Sequence, residues 1–265
     1  MFYPPGLPHS RELEFASRAV TAIEINSTYH RLQKPQSFAA WAAAVPDGFV
    51  FSVKGSFTCS NRKNLGEGAE AVRRFFSQGL TELGPKLGPI LWQLMPHKAF
   101  DPQEVAAFLA LLPRKLDGVR LRHAIEPRHE SFRTPEFIAL ARRAGVAVVV
   151  ADSEEYPQIA DVTGSFVYAR LQRSREDIET GYDTRSLTRW AKAAREWAGG
   201  EQPAGLTYVC KRARASNAAE ASPPSKISRP RDVFLFVIDG AKVRAPAAAC
   251  ALLQRLGGER SSRRR

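Results

Sequence analysis

Cysteine is scarce in this chain, and its spacing excludes two classes of protein. The 265 residues contain three cysteines, Cys59, Cys210 and Cys250. Three is an odd number and no two of them form a CxxC pair, so neither a disulfide framework nor a zinc knuckle is indicated. Free thiols are typical of a reducing compartment, and we predict a cytoplasmic protein.

Long hydrophobic runs are also missing. The longest apolar run covers about eight residues, 144–151, whereas a membrane-spanning helix needs about 20. Residues 1–20 lack the apolar core of a signal peptide. The sequence therefore predicts a soluble protein with no membrane partner.

Acidic residues are too few to balance the basic ones, but the excess lies outside the main body. The chain has 39 Lys and Arg against 27 Asp and Glu, a net charge of +12, of which residues 1–210 carry only +3. We predict a flexible basic insert at about 199–231 and a disordered basic tail at 257–265. Both make nucleic acid an alternative partner. The basic stretches 211–214 and 260–265 have no interleaved aromatic side chains, however, and a small anionic molecule is the favoured partner.

Strand-like and helix-like segments alternate along the whole chain. This alternation is typical of βα units around a parallel sheet. The predicted strands are Val20–Asn26, Phe49–Lys54, Pro89–Leu94, Val119–Glu126, Val146–Asp152, Phe166–Leu171 and Val233–Ile238. The predicted helices are Arg11–Arg18, Gln36–Ala44, Glu67–Leu83, Leu187–Ala198 and Pro246–Leu256, with two more that begin at Asp101 and Thr134.

Seven βα units in about 250 residues fit a TIM-type (β/α) barrel better than an open nucleotide-binding sheet. We predict an α/β fold with one barrel domain over residues 1–256. The usual first strand is missing, because no strand precedes the helix at 11–18. Either the barrel is open at one seam, or the recorded start codon lies downstream of the true one.

Polar side chains recur at the carboxyl ends of the predicted strands. Strand side chains alternate with a period of two, so in a barrel the apolar set meets the helices and the polar set points to the axis. Barrel enzymes keep their active sites at this end. The predicted pocket consists of Glu24, Asn26, Lys54, Gln93, Glu126, Arg128, Asp152 and Arg170. With three carboxylates and three cations, the same residues also fit structural ion pairs that close the barrel.

Several segments resemble the YecE-like family, catalogued as domain of unknown function 72. They are residues 24–29, 38–41 with Pro46, 49–54, 87–93, 126–132 and 168–171. The resemblance runs from Phe2 to about Leu256 and implies a TIM-type barrel with a polar pocket at the strand ends. It implies no reaction, because the family has none assigned. The family usually opens with a Gly-x-Ser-Gly-Trp-like strand, and many members have histidine where this chain has Gln172.

The expected chemistry is acid/base catalysis on a small anionic ligand, a phosphate or a carboxylate. Glu126, Asp152 and Lys54 are the predicted catalytic residues, with Glu126 or Asp152 moving protons. Lys54, Arg128 and Arg170 are expected to hold the anion. Glu24, Asn26 and Gln93 complete the predicted binding residues.

The reaction class that we expect is hydrolysis or isomerisation, without a metal or another cofactor. Only His30 and His129 lie just past strand ends, and no metal-ligand spacing is present. Two alternatives stay open: a non-catalytic binding protein that associates with nucleic acid through the insert and tail, and a decayed family member.

Overall fold

Parallel strands flanked by helices form the centre of the protein in this computed structural model, which describes residues 2–210, 230–238 and 240–257. The strands are β1 (Ala22–Ile25), β2 (Val50–Lys54), β3 (Leu87–Gln93), β4 (Lys115–Leu116), β5 (Val119–Arg120), β6 (His123–Glu126), β7 (Ala147–Val148), β8 (Val150–Asp152), β9 (Val167–Leu171) and β10 (Val233–Val237). The α-helices are α1 (Glu12–Ala19), α2 (Ser27–His30), α3 (Pro35–Ala44), α4 (Phe57–Ser60), α5 (Ala69–Phe76), α6 (Pro102–Leu111), α7 (Pro135–Ala144), α8 (Thr184–Ala198) and α9 (Ala245–Gly257).

Two parallel sheets follow one another along the chain. The first has the order β1-β2-β3-β6-β7 and the second the order β10-β9-β8. Only Val149 separates β7 from β8, and its N–H donates to the carbonyl of Ile125 on β6 at 2.9 Å. The chain thus passes from one sheet to the next at this residue. The predicted α/β architecture of parallel strands with flanking helices is confirmed.

The helix boundaries follow the local chemistry of the sequence. The Asp101 carboxylate caps α6 by accepting from the N–H of Glu104 at 2.8 Å, and the Thr134 hydroxyl caps α7 in the same way. Both α6 and α7 have proline in the first turn, where a backbone N–H would have no partner within the helix, so its loss costs no hydrogen bond. Gly145 ends α7 with a positive φ of 69°.

Strand side chains divide into a helix-facing and an interior set. On β3, Trp92 packs against Phe75 and Phe108 of the surrounding helices, with ring centroids 5.2 and 5.7 Å apart. Its neighbour Leu91 belongs instead to an interior cluster with Ala124, Ala147, Val149, Phe166, Tyr168, Phe234 and Phe236. The interior cluster therefore lies beneath the carboxyl ends of the strands, where the polar residues were predicted.

A groove lies between β1, the first strand of one sheet, and β10, the first strand in the order of the other. In the described residues β1 pairs only with β2, and β10 pairs only with β9. The groove has a volume of about 320 Å³ and lies between these strands and helices α8 and α9. We call it the seam. In the described part of the chain, no backbone hydrogen bonds pair β1 with β10 at the seam. No strand precedes α1 within residues 2–11.

Three predicted elements differ from the structure. The helix predicted at 67–83 ends at Phe76, and a 3₁₀ segment follows at Leu80–Lys86, because Gly79 has a φ of 91°. The strand predicted at 119–126 is divided into β5 and β6, because β5 pairs with β4 in a hairpin and β6 belongs to the parallel sheet. The strand predicted at 146–152 is split at Val149.

The basic segments fall mainly outside the described residues. The predicted insert at about 199–231 is described only at 199–210 and 230–231, and the predicted tail at 257–265 only at residue 257. None of the helices in the described ranges is long and apolar enough to span a membrane.

Candidate functional site

Glu126 lies at the centre of the predicted site, at the carboxyl end of β6, and is fully buried. Its Oε2 accepts hydrogen bonds from Gln93 Nε2 at 2.9 Å and from Arg170 at 2.5 Å. Its Oε1 accepts from Arg128 Nε and Gln172 Nε2, both at 3.2 Å. Four donors thus surround one carboxylate, which is the satisfied state that a buried charge requires.

Arg170 connects the two carboxylates of the site. Besides its bond to Glu126, its second terminal nitrogen donates to Glu24 Oε1 at 2.9 Å. Burial lowers the pKa of Arg170, but Glu126 and Glu24 outweigh burial and raise it overall. The guanidinium is therefore permanently charged and neutralised by two anions, so it has little charge left for a ligand.

Tyr168 extends the network toward β2. Its hydroxyl donates to Glu24 Oε2 at 2.7 Å and lies 2.7 Å from Ser52 Oγ. Burial, and then the charge of Glu24, raises the pKa of Tyr168 well above its usual value, so the phenol stays protonated. The sequence prediction missed this residue, although it precedes Arg170 by two positions and so lies on the same strand face.

The electrostatics of Glu126 do not favour proton transfer. Burial raises its pKa, but Arg170 and Arg128 overcome this effect and hold the pKa at about 2. At neutral pH the carboxylate is ionised and its oxygens are already occupied by donors. The geometry makes Glu126 an anchor for the surrounding cations.

Of the three cations in the predicted site, Lys54 alone forms no ion pair with a carboxylate of the described residues. Lys54 is the last residue of β2, at the carboxyl end of the strand, and it is 8% exposed. Burial, followed by the charge of Arg170, lowers the pKa of Lys54. Its Nζ lies 4.2 Å from the centroid of the Tyr29 ring, and no ion pair or hydrogen bond of Nζ is present among the described residues.

Arg128 lies at the rim, with one side tied to the network. Its Nε donates to Glu126, while a terminal nitrogen donates to the Tyr156 hydroxyl at 3.3 Å. The guanidinium also lies 4.2 Å from the centroid of the Tyr156 ring. The rings of Tyr29 and Tyr156 thus lie against Lys54 and Arg128, respectively.

The structure does not bring Asp152 into this network. In the register of β8 with β9, Ala151 pairs with Arg170 and Asp152 pairs with Leu171. Leu171 belongs to the cluster that faces α8, so Asp152 lies on the helix-facing side. Its carboxylate accepts from the Tyr182 hydroxyl at 3.1 Å, and burial raises its pKa. The expected pairing of Asp152 with Glu126 is not seen.

Asn26 also stands apart from the network. It is exposed at the start of α2, and no hydrogen bond of its side chain is present in the described part of the chain. Glu24, Lys54, Gln93, Glu126, Arg128 and Arg170 therefore form the core of the predicted site. Because Asp152 lies elsewhere, this core has three cations and two carboxylates, a net charge of +1.

The histidines are not arranged as a metal site. His129 shares a 2.8 Å hydrogen bond with the Ser131 hydroxyl, and His30 is exposed. Within residues 2–210, 230–238 and 240–257, no group of three or more His, Cys, Asp and Glu residues could hold a metal ion.

Comparison with known proteins gives the following similarities. A family model described as "Protein of unknown function DUF72" matches residues 1–223. Two curated Escherichia coli proteins, from strain K12 and from O157:H7, are both called UPF0759 protein YecE. Each is 31% identical over 115 residues, which are 42% of this chain and 41% of the relative. The match thus spans less than half of the relatives' length.

Two solved structures are similar along almost the whole chain. A DUF72 family protein from Thermotoga maritima MSB8 has a TM-score of 0.66 at 18% identity, covering 98% of this chain and 92% of its own. A DUF72 family protein from Enterococcus faecalis V583 has a TM-score of 0.63 at 17% identity, covering 93% of both chains. At these identities, the similarity shows the fold alone.

Proposed function

The chain belongs to the DUF72 family of proteins of unknown function, and we propose that its strand-end site binds a small ligand with a phosphate or carboxylate group. The observation that carries the proposal is the buried Lys54 ammonium, which has no carboxylate within ion-pair distance among the described residues. A buried cation is costly unless an anion neutralises it. A ligand anion would supply that charge.

Lys54 and Arg128 are the residues that we expect to contact the ligand. Arg170 is occupied by Glu24 and Glu126, whereas Arg128 has one bond to Glu126 and one to a neutral phenol. Ammonium and guanidinium groups are common partners of phosphate and carboxylate. Glu126 acts through Arg128, by fixing its Nε.

For the reaction, we propose hydrolysis or isomerisation with Lys54 as the group that exchanges the proton. A general acid or base works best when its pKa approaches the working pH. Burial moves the pKa of Lys54 in that direction, whereas Glu126 is held far below it. We further propose the cytoplasm as the location, on the basis of the three free thiols.

The test is calorimetric titration of the purified protein with inorganic phosphate and with acetate. We expect saturable binding of at least one anion, weakened about tenfold or more by Lys54→Met and by Arg128→Gln, since each removes a direct charge contact. Lys34→Met and Arg133→Gln are the matched controls, because both residues are exposed. Equal binding by all four variants would contradict the proposal. Mass spectrometry of co-purifying molecules would identify the ligand.

The alternative is nucleic-acid binding through the basic segments. It rests on the +9 of the total +12 that lies in residues 211–231 and 255–265. Filter binding at rising salt, with and without residues 211–231 and 260–265, tests it. Salt-sensitive binding that the deletion abolishes supports this alternative, and no binding at low salt removes it.

A further inference from the structure

A second cavity lies beside the strand-end site, where the chain leaves β1 and β2. Its volume is about 410 Å³, which lies in the range of small-molecule sites. Three arginines from separate segments line it: Arg31 after α2, Arg62 after α4 and Arg74 on α5. We call it the arginine cavity.

The three arginines have no anionic partner in the described ranges. Arg18 and Arg133, by contrast, pair with glutamates one helical turn away. One carboxylate, that of Glu70, lines the cavity, and no ion pair joins it to Arg74 although the two are four residues apart on α5. Like charges around one space repel each other, and an anion between them would relieve this repulsion.

The remaining walls offer hydroxyl groups and apolar surface. Ser56 and Thr58 line the cavity, and their hydroxyl oxygens lie 3.0 Å apart. Leu32 and Phe57, each 39% exposed, also line it, and they are two of only four large hydrophobic residues that are exposed in the described part of the chain. An inorganic ion would leave these two side chains in water.

We propose that the arginine cavity binds a small organic phosphate, with the phosphate on the arginines and the apolar part against Phe57 and Leu32. Guanidinium forks match phosphate oxygens in geometry and charge. None of the six core residues of the strand-end site lines the arginine cavity. The Tyr29 ring contacts both sites, with its centroid 6.0 Å from that of Phe57 and 4.2 Å from Lys54 Nζ. The cavity is therefore a second site, separate from the one proposed above.

Titration of the Lys54→Met variant with phenyl phosphate, inorganic phosphate and phenol observes the cavity without the Lys54 contact. We expect phenyl phosphate to bind about tenfold more tightly than either fragment, because it uses both walls. The added substitutions Arg62→Gln and Arg74→Gln should weaken phenyl phosphate by about tenfold or more. Arg73→Gln, the neighbouring position outside the cavity lining, should leave the affinity unchanged.

The substituted arginines are partly exposed, so thermal unfolding should confirm that the variants fold. No saturable binding of phenyl phosphate, or equal binding by the Arg62→Gln/Arg74→Gln variant, would overturn the proposal. So would a result in which those substitutions abolish binding of a mixed-sequence single-stranded oligonucleotide while phenyl phosphate does not bind. Failure of the strand-end proposal would be observed separately. In that case Lys54→Met and Arg128→Gln, with all three cavity arginines retained, would bind phosphate as the parent protein does.

Discussion

At the scale of single residues, the site is a set of charges that hold each other in place. Glu126 accepts from two arginines and two amides, and Arg170 donates to two glutamates. Removing one member of such a buried group leaves its partners desolvated and short of one hydrogen-bond or ion-pair partner. Stability therefore depends on each member more strongly than a count of hydrogen bonds suggests.

Glu126→Gln should lower the free energy of unfolding by about 3–5 kcal/mol, because Arg128 and Arg170 lose their shared counter-charge. Urea denaturation at neutral pH measures the change. Glu130→Gln is the matched control, since that carboxylate forms an exposed ion pair with Arg133, and its effect should stay within about 1 kcal/mol. Equal effects of the two substitutions would contradict the central role of Glu126.

The contribution of Glu126 should also depend on pH. Because its pKa is depressed from 4.5 to about 2, its stabilisation is fully present above pH 4.5 and is lost as the pH falls toward 2. The difference in stability between the parent protein and Glu126→Gln should therefore shrink across this window. A difference that is as large near pH 2 as at pH 7 would show that the ionised carboxylate is not its source.

Sequence reasoning located the charged residues wherever polar and apolar residues alternate. Glu24 alternates with Ile23 and Ile25, and Lys54 follows the alternating residues Phe51, Ser52 and Val53, so the period of two identifies their face. Asp152 ends a strand in which every residue from 146 to 151 is apolar. No alternation exists there, and only the observed register reveals that its side chain faces α8.

At the scale of elements, β2 and β3 approach closely because of one glycine. A Cβ on Gly88 would lie 2.6 Å from the carbonyl oxygen of Phe51 and 2.4 Å from Val50 Cγ1. The pairing of β2 with β3 also contains a register shift between Phe51 and Val53. The close approach helps to position β2, which ends at Lys54.

Gly88→Ala should destabilise the protein by about 1–3 kcal/mol, since backbone atoms must move to admit the methyl group. Thermal or urea unfolding measures this change. Gly257→Ala is the control, because nothing lies within 4 Å of a Cβ there. A neutral Gly88→Ala would mean that the two strands separate without cost.

The strands and helices were predictable where they carry their own chemical signals, such as the caps at Asp101 and Thr134. The hairpin of β4 and β5 has such a signal as well, because Asp117 and Gly118 both have positive φ in its two-residue turn. The prediction missed it by starting the strand after the turn. The short helices α2 and α4 have only four residues each, too few to show a period.

At the scale of the whole molecule, the two sheets are joined in different ways at their two borders. At one border the chain itself continues from β7 through Val149 to β8. At the seam no ladder is present in the described residues, and Tyr168 and Arg170 of the second sheet reach across the interior to Glu24 of β1. Side-chain hydrogen bonds thus connect the two sheets at the seam, where no backbone hydrogen bonds join β1 and β10 in the described residues.

Hydrogen exchange should report this asymmetry. Amides of Leu87–Gln93 in β3, which pairs on both sides, should exchange more slowly than those of Ala22–Ile25 and Val233–Val237, which pair on one side. Exchange with mass spectrometry on peptides of each strand measures the difference. Equal protection of all three would show that the seam is closed in solution.

The alternation of strands and helices predicted a parallel sheet. In the structure, neighbouring βα units of the chain lie beside each other in the sheet, as is usual for such units. The alternation could not predict how β1 and β10 lie relative to each other at the seam. That geometry depends on packing between β1, β10, α8 and α9, which are far apart in the sequence and share no local pattern.

The Arg170 bridge has a consequence for how this protein can diverge during evolution. Loss of Arg170 removes the ion-pair partner of Glu24 and one of the two ion-pair partners of Glu126, and loss of either glutamate leaves Arg170 with a single carboxylate. We therefore expect these three positions to change together. Lys54 and the three cavity arginines form no ion pair within the described residues, so each can be exchanged in a single step. Descendants of this chain should therefore acquire new ligands through substitutions at Lys54 and in the arginine cavity, while inheriting Arg170, Glu24 and Glu126 unaltered.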